Sequence, residues 1–210
     1  MSPLPGQETP PDPELTNLVE KTSGVQPWRR VFHATNGILL VLALTFLPIE
    51  DRIVWIVLGI GLAISVVIDA IRLYDPEVNR RFFKLFLALA SPREARELAS
   101  STWYLLGVLL TLILFPRPYA LAGILVLALA DPAANVIGRF WGRSRFLSGS
   151  VKGTMAFALV AFVVLVFFVP WWAAIITAVA TALMEASPLD LDDNLVVPLT
   201  VAGVLFLIIP

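Results

Sequence analysis

Acidic, amide, glycine and guanidinium side chains gather in this sequence where apolar runs end. One run passes into Asp131, Pro132, Asn135, Gly138, Arg139, Gly142 and Arg143. Counted from Asp131, the positions Asn135, Gly138 and Gly142 follow one helical face. Glycines on such a face let another backbone or a ligand approach closely. The next polar segment, RFLSGSVKGTMAF, is a glycine and serine loop with Lys152 and Gly153 leading into a helix at Thr154. Free N–H groups at a helix start, with a lysine nearby, make an anion site. The order Lys152-Gly153-Thr154 is not that of a Walker loop, which needs Gly-Lys-Ser/Thr. Further on, Glu185, Asp190, Asp192, Asp193 and Asn194 offer hard oxygen donors. One or two carboxylates plus substrate phosphates are the usual setting of magnesium. Taken alone, the loop reads as an acidic turn with Asp193 or Asn194 capping the last helix.

The N-terminal half adds three smaller groups. Arg29, His33 and Asn36 share a helical face, with Arg30 beside them. Snorkelling arginines and a histidine satisfied in a bundle would explain that group equally well. Asp69 and Arg72 stand one turn apart and can pair locally. Glu94 and Glu97 fall in a charged stretch that reads as a solvated loop helix. The combination says more than the parts: carboxylates and cations from separate apolar runs make up the inventory for a metal-bound polyphosphate.

The elements that must position these groups are membrane helices. The 210 residues are 58% hydrophobic, against about 45–50% in soluble domains. Apolar stretches run over 31–48, 53–71, 103–116, 118–131, 154–169, 171–185 and 194–209. Several fall short of the roughly 17 residues that a span needs at minimum. Residues 76–90 mix Arg80, Arg81 and Lys84 with Phe82, Phe83, Leu85 and Phe86, the pattern of a helix lying in the interface. Asp131-Pro132 reads as a helix start, with Asp as cap and Pro in the first turn, so the fourth stretch is expected to break there. The expected fold is all-α, an integral membrane protein of about seven transmembrane helices plus one interfacial helix. Residues 1–27 form a polar, proline-rich tail, expected to be disordered apart from a helical turn near 15–19. It lacks the basic region and early apolar core of a signal peptide. Residues 28–210 form one polytopic domain.

Charge sets the orientation. With the N-terminus cytoplasmic, 13 of the 15 basic residues lie on the cytoplasmic side, and only Arg52 and Arg117 fall outside. The positive-inside rule selects that arrangement. The C-terminus is then exterior, and chemistry is confined to the cytoplasmic face. The sequence has no cysteine and a single histidine, which excludes thiolate chemistry and a two-histidine zinc site. No Gly-x-Ser-x-Gly elbow is present. No charge sits at mid-membrane, which argues against a transporter, although a non-enzymatic lipid transporter stays open as an alternative.

Six segments in order resemble the CTP-dependent lipid-alcohol kinases, a family that includes dolichol kinase, phytol kinase and the CTP-using diacylglycerol kinases. They are RRVFHATNG, DAIR, RELASSTWYLLG, DPAANVIGRFWGR, SVKGT and MEASPLDLDDNLVVP. The cytidylyltransferases that make CDP-diacylglycerol are more distantly similar. The resemblance implies transfer of the CTP γ-phosphate to a lipid hydroxyl with Mg²⁺. The bilayer would be the partner, and no nucleic acid is expected. It implies Asp131, Glu185 and Asp193 as metal ligands and Asp131, Asp193 or His33 as catalytic groups. Arg29, Arg30, Asn135, Gly138, Arg139, Gly142, Arg143, Lys152, Gly153 and Asn194 would bind the nucleotide, and Asp69 and Arg72 would be structural or substrate-positioning. Gly149 stands where the family generally has a lysine, leaving Lys152 or Arg145 to supply that charge. A cytidylyltransferase acting on phosphatidate is the alternative within this chemistry. The expected location is a prokaryotic plasma membrane.

Overall fold

The computed structural model describes residues 13–24, 26–188 and 191–209. The start of the expected tail, residues 1–12, and Asp190 lie outside the described residues. Among the described residues nine α-helices follow in order: α1 Pro13–Lys21, α2 Pro27–Phe46, α3 Asp51–Tyr74, α4 Pro76–Leu85, α5 Ser100–Leu114, α6 Arg117–Trp141, α7 Val151–Leu165, α8 Trp171–Glu185 and α9 Asp193–Ile208. A 3-10 turn, Pro92–Ala95, precedes α5. Beyond the all-helical expectation, β1 Arg145–Phe146 and β2 Gly149–Ser150 make a short antiparallel hairpin.

Helix α6 is the centre of the bundle. It packs on α7, α9 and α2, and α8 closes against α7 and α9. Its inner face is mostly small: Ala120, Ala122, Gly123, Ala128, Ala130 and Ala134 are buried. Helices without a water-driven preference for each other associate through such close backbone approaches. A Cβ on Gly123 would lie 2.6 Å from the Pro198 carbonyl oxygen, and one on Gly107 would collide with the Asn194 carbonyl. These glycines fix the start of α9 against α5 and α6.

The expected break at Asp131 does not occur: α6 runs unbroken through Pro132 to Trp141. Pro132 has no N–H to give the Ala128 carbonyl and normally kinks a helix. Ala130 and Ala134 on either side are held in the core with Phe157 and Ala161, and helix-breaking prolines are tolerated where neighbouring helices hold the segment. Asp131 is therefore not a cap. Its side chain and carbonyl both accept from Asn135 Nδ2, at 2.8 and 3.0 Å.

Among the described residues two helices, α3 and α6, are long and apolar enough to cross a membrane, whereas α5, α7, α8 and α9 have 15 or 16 residues. Helix α3 is peripheral and exposes Ile53, Ile56, Val57, Ile60, Ile64 and Val67. Helix α4 is shorter than the 76–90 expected, and α1 makes helix of most of the described tail. Glu14 on α1 pairs with Arg80 at 2.9 Å and Lys84 at 2.5 Å on α4. At the end of α6 far from Asp131, Arg117 pairs with Asp51 at 2.7 Å.

Candidate active site

Three carboxylates from three helices meet beside Pro132 of α6. Asp131 comes from α6, Glu185 from the last residue of α8 and Asp193 from the first residue of α9. One oxygen of each lies within 4.8 Å of the others. Asp192 caps α9, accepting from the Asn194 amide at 3.0 Å and from Asn194 Nδ2 at 2.6 Å. The cap leaves the Asp193 carboxyl free to face the other two. Asp193 stands at the head of α9, outside its apolar run. Burial pushes its carboxyl up to about 8, the carboxylates of Asp131, Glu185 and Asp192 push the same way, and Arg93 opposes them. Like charges held this close resist full ionisation unless a cation joins them. Three hard oxygen donors at this spacing fit a small divalent cation.

The carboxylates lie where two polar cavities meet. Asp131 and Asp193 line an acidic cavity together with Gln26, Arg29, His33, Glu94 and Asn194. Glu185 lines a glycine-walled cavity with Gly138, Arg139, Gly142, Arg145, Ser150, Gly153 and Thr154. At about 460 Å³ the second is in the size range of small-molecule sites. Arg30 and Asn135 line both. Arg30 Nη1 and Thr154 Oγ1 are buried without a hydrogen-bond partner. Buried polar atoms left unpaired are costly, so a ligand with acceptor oxygens would satisfy them.

The glycines of the second cavity serve helix packing as well. A Cβ on Gly138 would sit 2.9 Å from Ser150 Oγ, and one on Gly153 would sit 3.1 Å from the Ala134 carbonyl oxygen. The close neighbour on that face of α6 is thus the start of α7. That start is at Val151 rather than Thr154, with Ser150 as cap accepting from the Gly153 amide at 3.1 Å. The hairpin before it is fastened next to Glu185: the Ser148 amide and hydroxyl donate to the Ala186 carbonyl at 3.0 and 2.8 Å.

No family model matches the chain, and no solved structure matches it. Curated proteins do. CTP-dependent diacylglycerol kinase 1 of Eremothecium gossypii is 29% identical over 149 residues, covering 68% of this chain and 47% of that one. The protein of the same name from Schizosaccharomyces pombe is 29% identical over 174 residues, with 72% and 79% covered. That from Saccharomyces cerevisiae is 26% identical over 149 residues, with 68% and 51% covered. The chain is similar to the CTP-dependent diacylglycerol kinases. The resemblance drawn from the motifs holds at this level, and the chain spans about half the length of the Eremothecium and Saccharomyces proteins.

Against that similarity, the expected site residues divide into three groups. Asp131, Glu185, Asp193, His33, Arg30, Asn135, Gly138, Arg139, Gly142, Gly153 and Asn194 all reach the carboxylates or the two cavities. Arg29 also lines the acidic cavity, but its guanidinium is engaged by Ser100 Oγ, Gln26 Oε1 at 3.1 Å and Glu94 at 3.8 Å. Arg143 and Lys152 are exposed and line neither cavity. Arg143 follows the end of α6, and Lys152 lies in the first turn of α7. Arg145, from the hairpin, lines the second cavity together with Arg30, Arg139 and Gly149.

Asp69 and Arg72 pair as the spacing suggests, at 2.6 Å, and both are buried. Arg72 also donates to the Glu94 carbonyl, to the Glu97 carbonyl at 2.7 Å and to Asn79 Oδ1 at 3.2 Å. Asp69 Oδ2 accepts from the Ala99 amide at 2.9 Å and Thr102 Oγ1 at 2.6 Å. The pair is a knot that sets the 94–102 backbone. Glu94 corrects the solvated-loop expectation: it is 5% exposed and accepts from Ser100 Oγ at 3.0 Å. Burial raises its carboxyl above the ordinary value, and Arg29 and Ser100 pull it down. Missed altogether were Gln26, Ser100 and Thr154. Thr154 was legible in SVKGT; Gln26 and Ser100 carried no signal, since their roles depend on contacts across α2 and α5.

Proposed function

We propose that this protein transfers the γ-phosphate of CTP to the hydroxyl of a membrane lipid alcohol, diacylglycerol or a polyprenol or phytol. The reaction takes place at the cytoplasmic face of a seven-span bundle. The observation that carries the reading is the meeting of Asp131, Glu185 and Asp193 between two cavities, with an unpaired Arg30 nitrogen beside them. The similarity to proteins named CTP-dependent diacylglycerol kinase supports the choice of donor and acceptor.

Asp131, Glu185 and Asp193 are the residues that would hold Mg²⁺. Bound there, the ion would neutralise phosphate oxygens of the nucleotide. The glycine-walled cavity takes the nucleotide. Arg30, Arg139 and Arg145 supply positive charge to its phosphates, and the Thr154 hydroxyl donates to one of them. Asn135 is fixed by Asp131 at the junction, so it orients the carboxylate and faces both cavities. The acceptor oxygen approaches from the acidic cavity, beside His33. Phosphoryl transfer of this kind depends on positioning and charge neutralisation more than on covalent chemistry by the protein.

The test incubates the protein with Mg²⁺ and γ-labelled CTP or ATP against diacylglycerol, a polyprenol and phytol. The expected outcome is labelled phospholipid with CDP released, CTP being the better donor. Pyrophosphate and a CDP-lipid made from phosphatidate would replace this reading with a cytidylyltransferase. No nucleotide-dependent lipid product with any acceptor would leave the transporter alternative.

A further inference from the structure

Three cavities stand in a row. The glycine-walled cavity shares Arg30 and Asn135 with the acidic one, and the acidic one shares His33 and Glu94 with a third. Phe32, Phe82, Phe86, Leu89, Ala90 and Ser101 complete the third, which lies between α2 and the end of α4. Its mouth is aromatic. The Phe82 and Phe86 rings are 5.0 Å apart, and Phe32 meets His33 edge-on at 6.0 Å. Phe32 and Phe86 are 46% and 40% exposed, so the cavity opens on the outside of the bundle. Further along α2, Leu39, Leu42 and Phe46 are exposed too. Two of its few polar lining residues, His33 and Glu94, form the wall shared with the acidic cavity.

An aromatic and aliphatic lining backed by a histidine and a buried carboxyl suits one occupant: an apolar chain ending in a hydroxyl. A water-soluble alcohol would gain nothing from the aromatic wall, whereas burial of a chain there is favourable in proportion to its area. We propose that the lipid acceptor enters sideways between α2 and α4, its chain against Phe32, Phe82, Phe86 and Leu89 and its hydroxyl beside His33. This rests on the kinase reading above and adds the acceptor's route and contact residues. Donor and acceptor then reach the three carboxylates from opposite sides, nucleotide through the glycine-walled cavity and lipid through the aromatic one. An imidazole nitrogen can accept a hydrogen bond from the hydroxyl, which makes His33 a positioning residue for the acceptor oxygen.

The experiment uses the full chain in phosphatidylcholine vesicles containing a diacylglycerol with a diazirine in its chain. After illumination the labelled peptides are mapped by mass spectrometry. Label is expected on residues 82–90 and at Phe32. Ser101→Trp, which fills the cavity from an exposed position on α5, is expected to lower that label and to raise the diacylglycerol KM about tenfold, with CTP binding within about twofold of wild type. Label confined to α8 and α9, or unchanged label and KM in Ser101→Trp, overturns the route even if the protein phosphorylates lipids. Label between α2 and α4 without any phosphorylated lipid upholds the route and removes the kinase reading.

Discussion

At the scale of single residues, the cost of the site is concentrated in its carboxylates. Asp193, raised to about 8 by burial and by its acidic neighbours, holds a proton at neutral pH in the cation-free protein. Its stabilising contribution is complete below the ordinary carboxylate range and is lost as pH rises through about 8. A divalent cation must displace that proton. Magnesium affinity is therefore expected to rise with pH up to about 8, with proton release on binding. Calorimetric titration in two buffers of different ionisation enthalpy reads the release directly, and Asp193→Asn should remove most of it. Binding without proton release would contradict the placement of Asp193. These residues were legible in the sequence because acids are rare at the ends of apolar runs. Their partners were less so: Glu94 looks like any loop acid until Ser100 and Arg29 are seen against it.

At the scale of elements, small residues and one buried ion pair place the site. Gly107 admits the start of α9, and a Cβ there would meet the Asn194 and Leu195 backbone, which has no rotamer to move. Gly107→Ala is expected to cost about 1–3 kcal/mol as overpacking and to weaken magnesium binding by shifting Asp193. Thermal unfolding in detergent and a cation titration check the two effects separately. Asp69→Ala leaves the Arg72 guanidinium buried without its counter-charge, an error worth about 3–5 kcal/mol. The same unfolding assay should show that loss, with Glu94 and Ser100 displaced as the 94–102 backbone loosens. Helix existence was readable from apolar runs, and α8 agrees with the stretch 171–185. The continuity of α6 was not. Asp-Pro is good local grammar for a helix start, and only tertiary packing of Ala130 and Ala134 overrides it. The β1–β2 hairpin was hidden in a glycine and serine loop whose pairing is two residues long.

At the scale of the whole molecule, the two polar cavities of the candidate site lie at one end of the bundle. The cavities sit at the start of α2 and α9 and the ends of α6 and α8, while the Arg117–Asp51 pair marks the opposite end of α6. The absence of cysteine from the sequence makes single introduced cysteines clean reporters. With Ser148→Cys, an impermeant thiol reagent is expected to label only permeabilised cells, and with Glu50→Cys it should label intact ones. The reverse pattern would invert the orientation. The charge bias along the loops is what predicts this orientation. Of the seven expected spans, α3 and α6 have the length and apolarity to cross among the described residues, while the helices of 15 or 16 residues lie below ordinary span length.

If the carboxylates of three helices form the phosphoryl-transfer site, removing one charge must stop turnover. The most direct measurement follows label from γ-labelled CTP into phosphatidate, in diacylglycerol-containing vesicles with Mg²⁺, for the wild type and for Asp131→Asn. Asn keeps the shape of the side chain and removes its charge. The wild type is expected to make labelled phosphatidate, and Asp131→Asn to lose about 100-fold or more of that rate while inserting and folding normally. Turnover by Asp131→Asn at the wild-type rate would contradict the account.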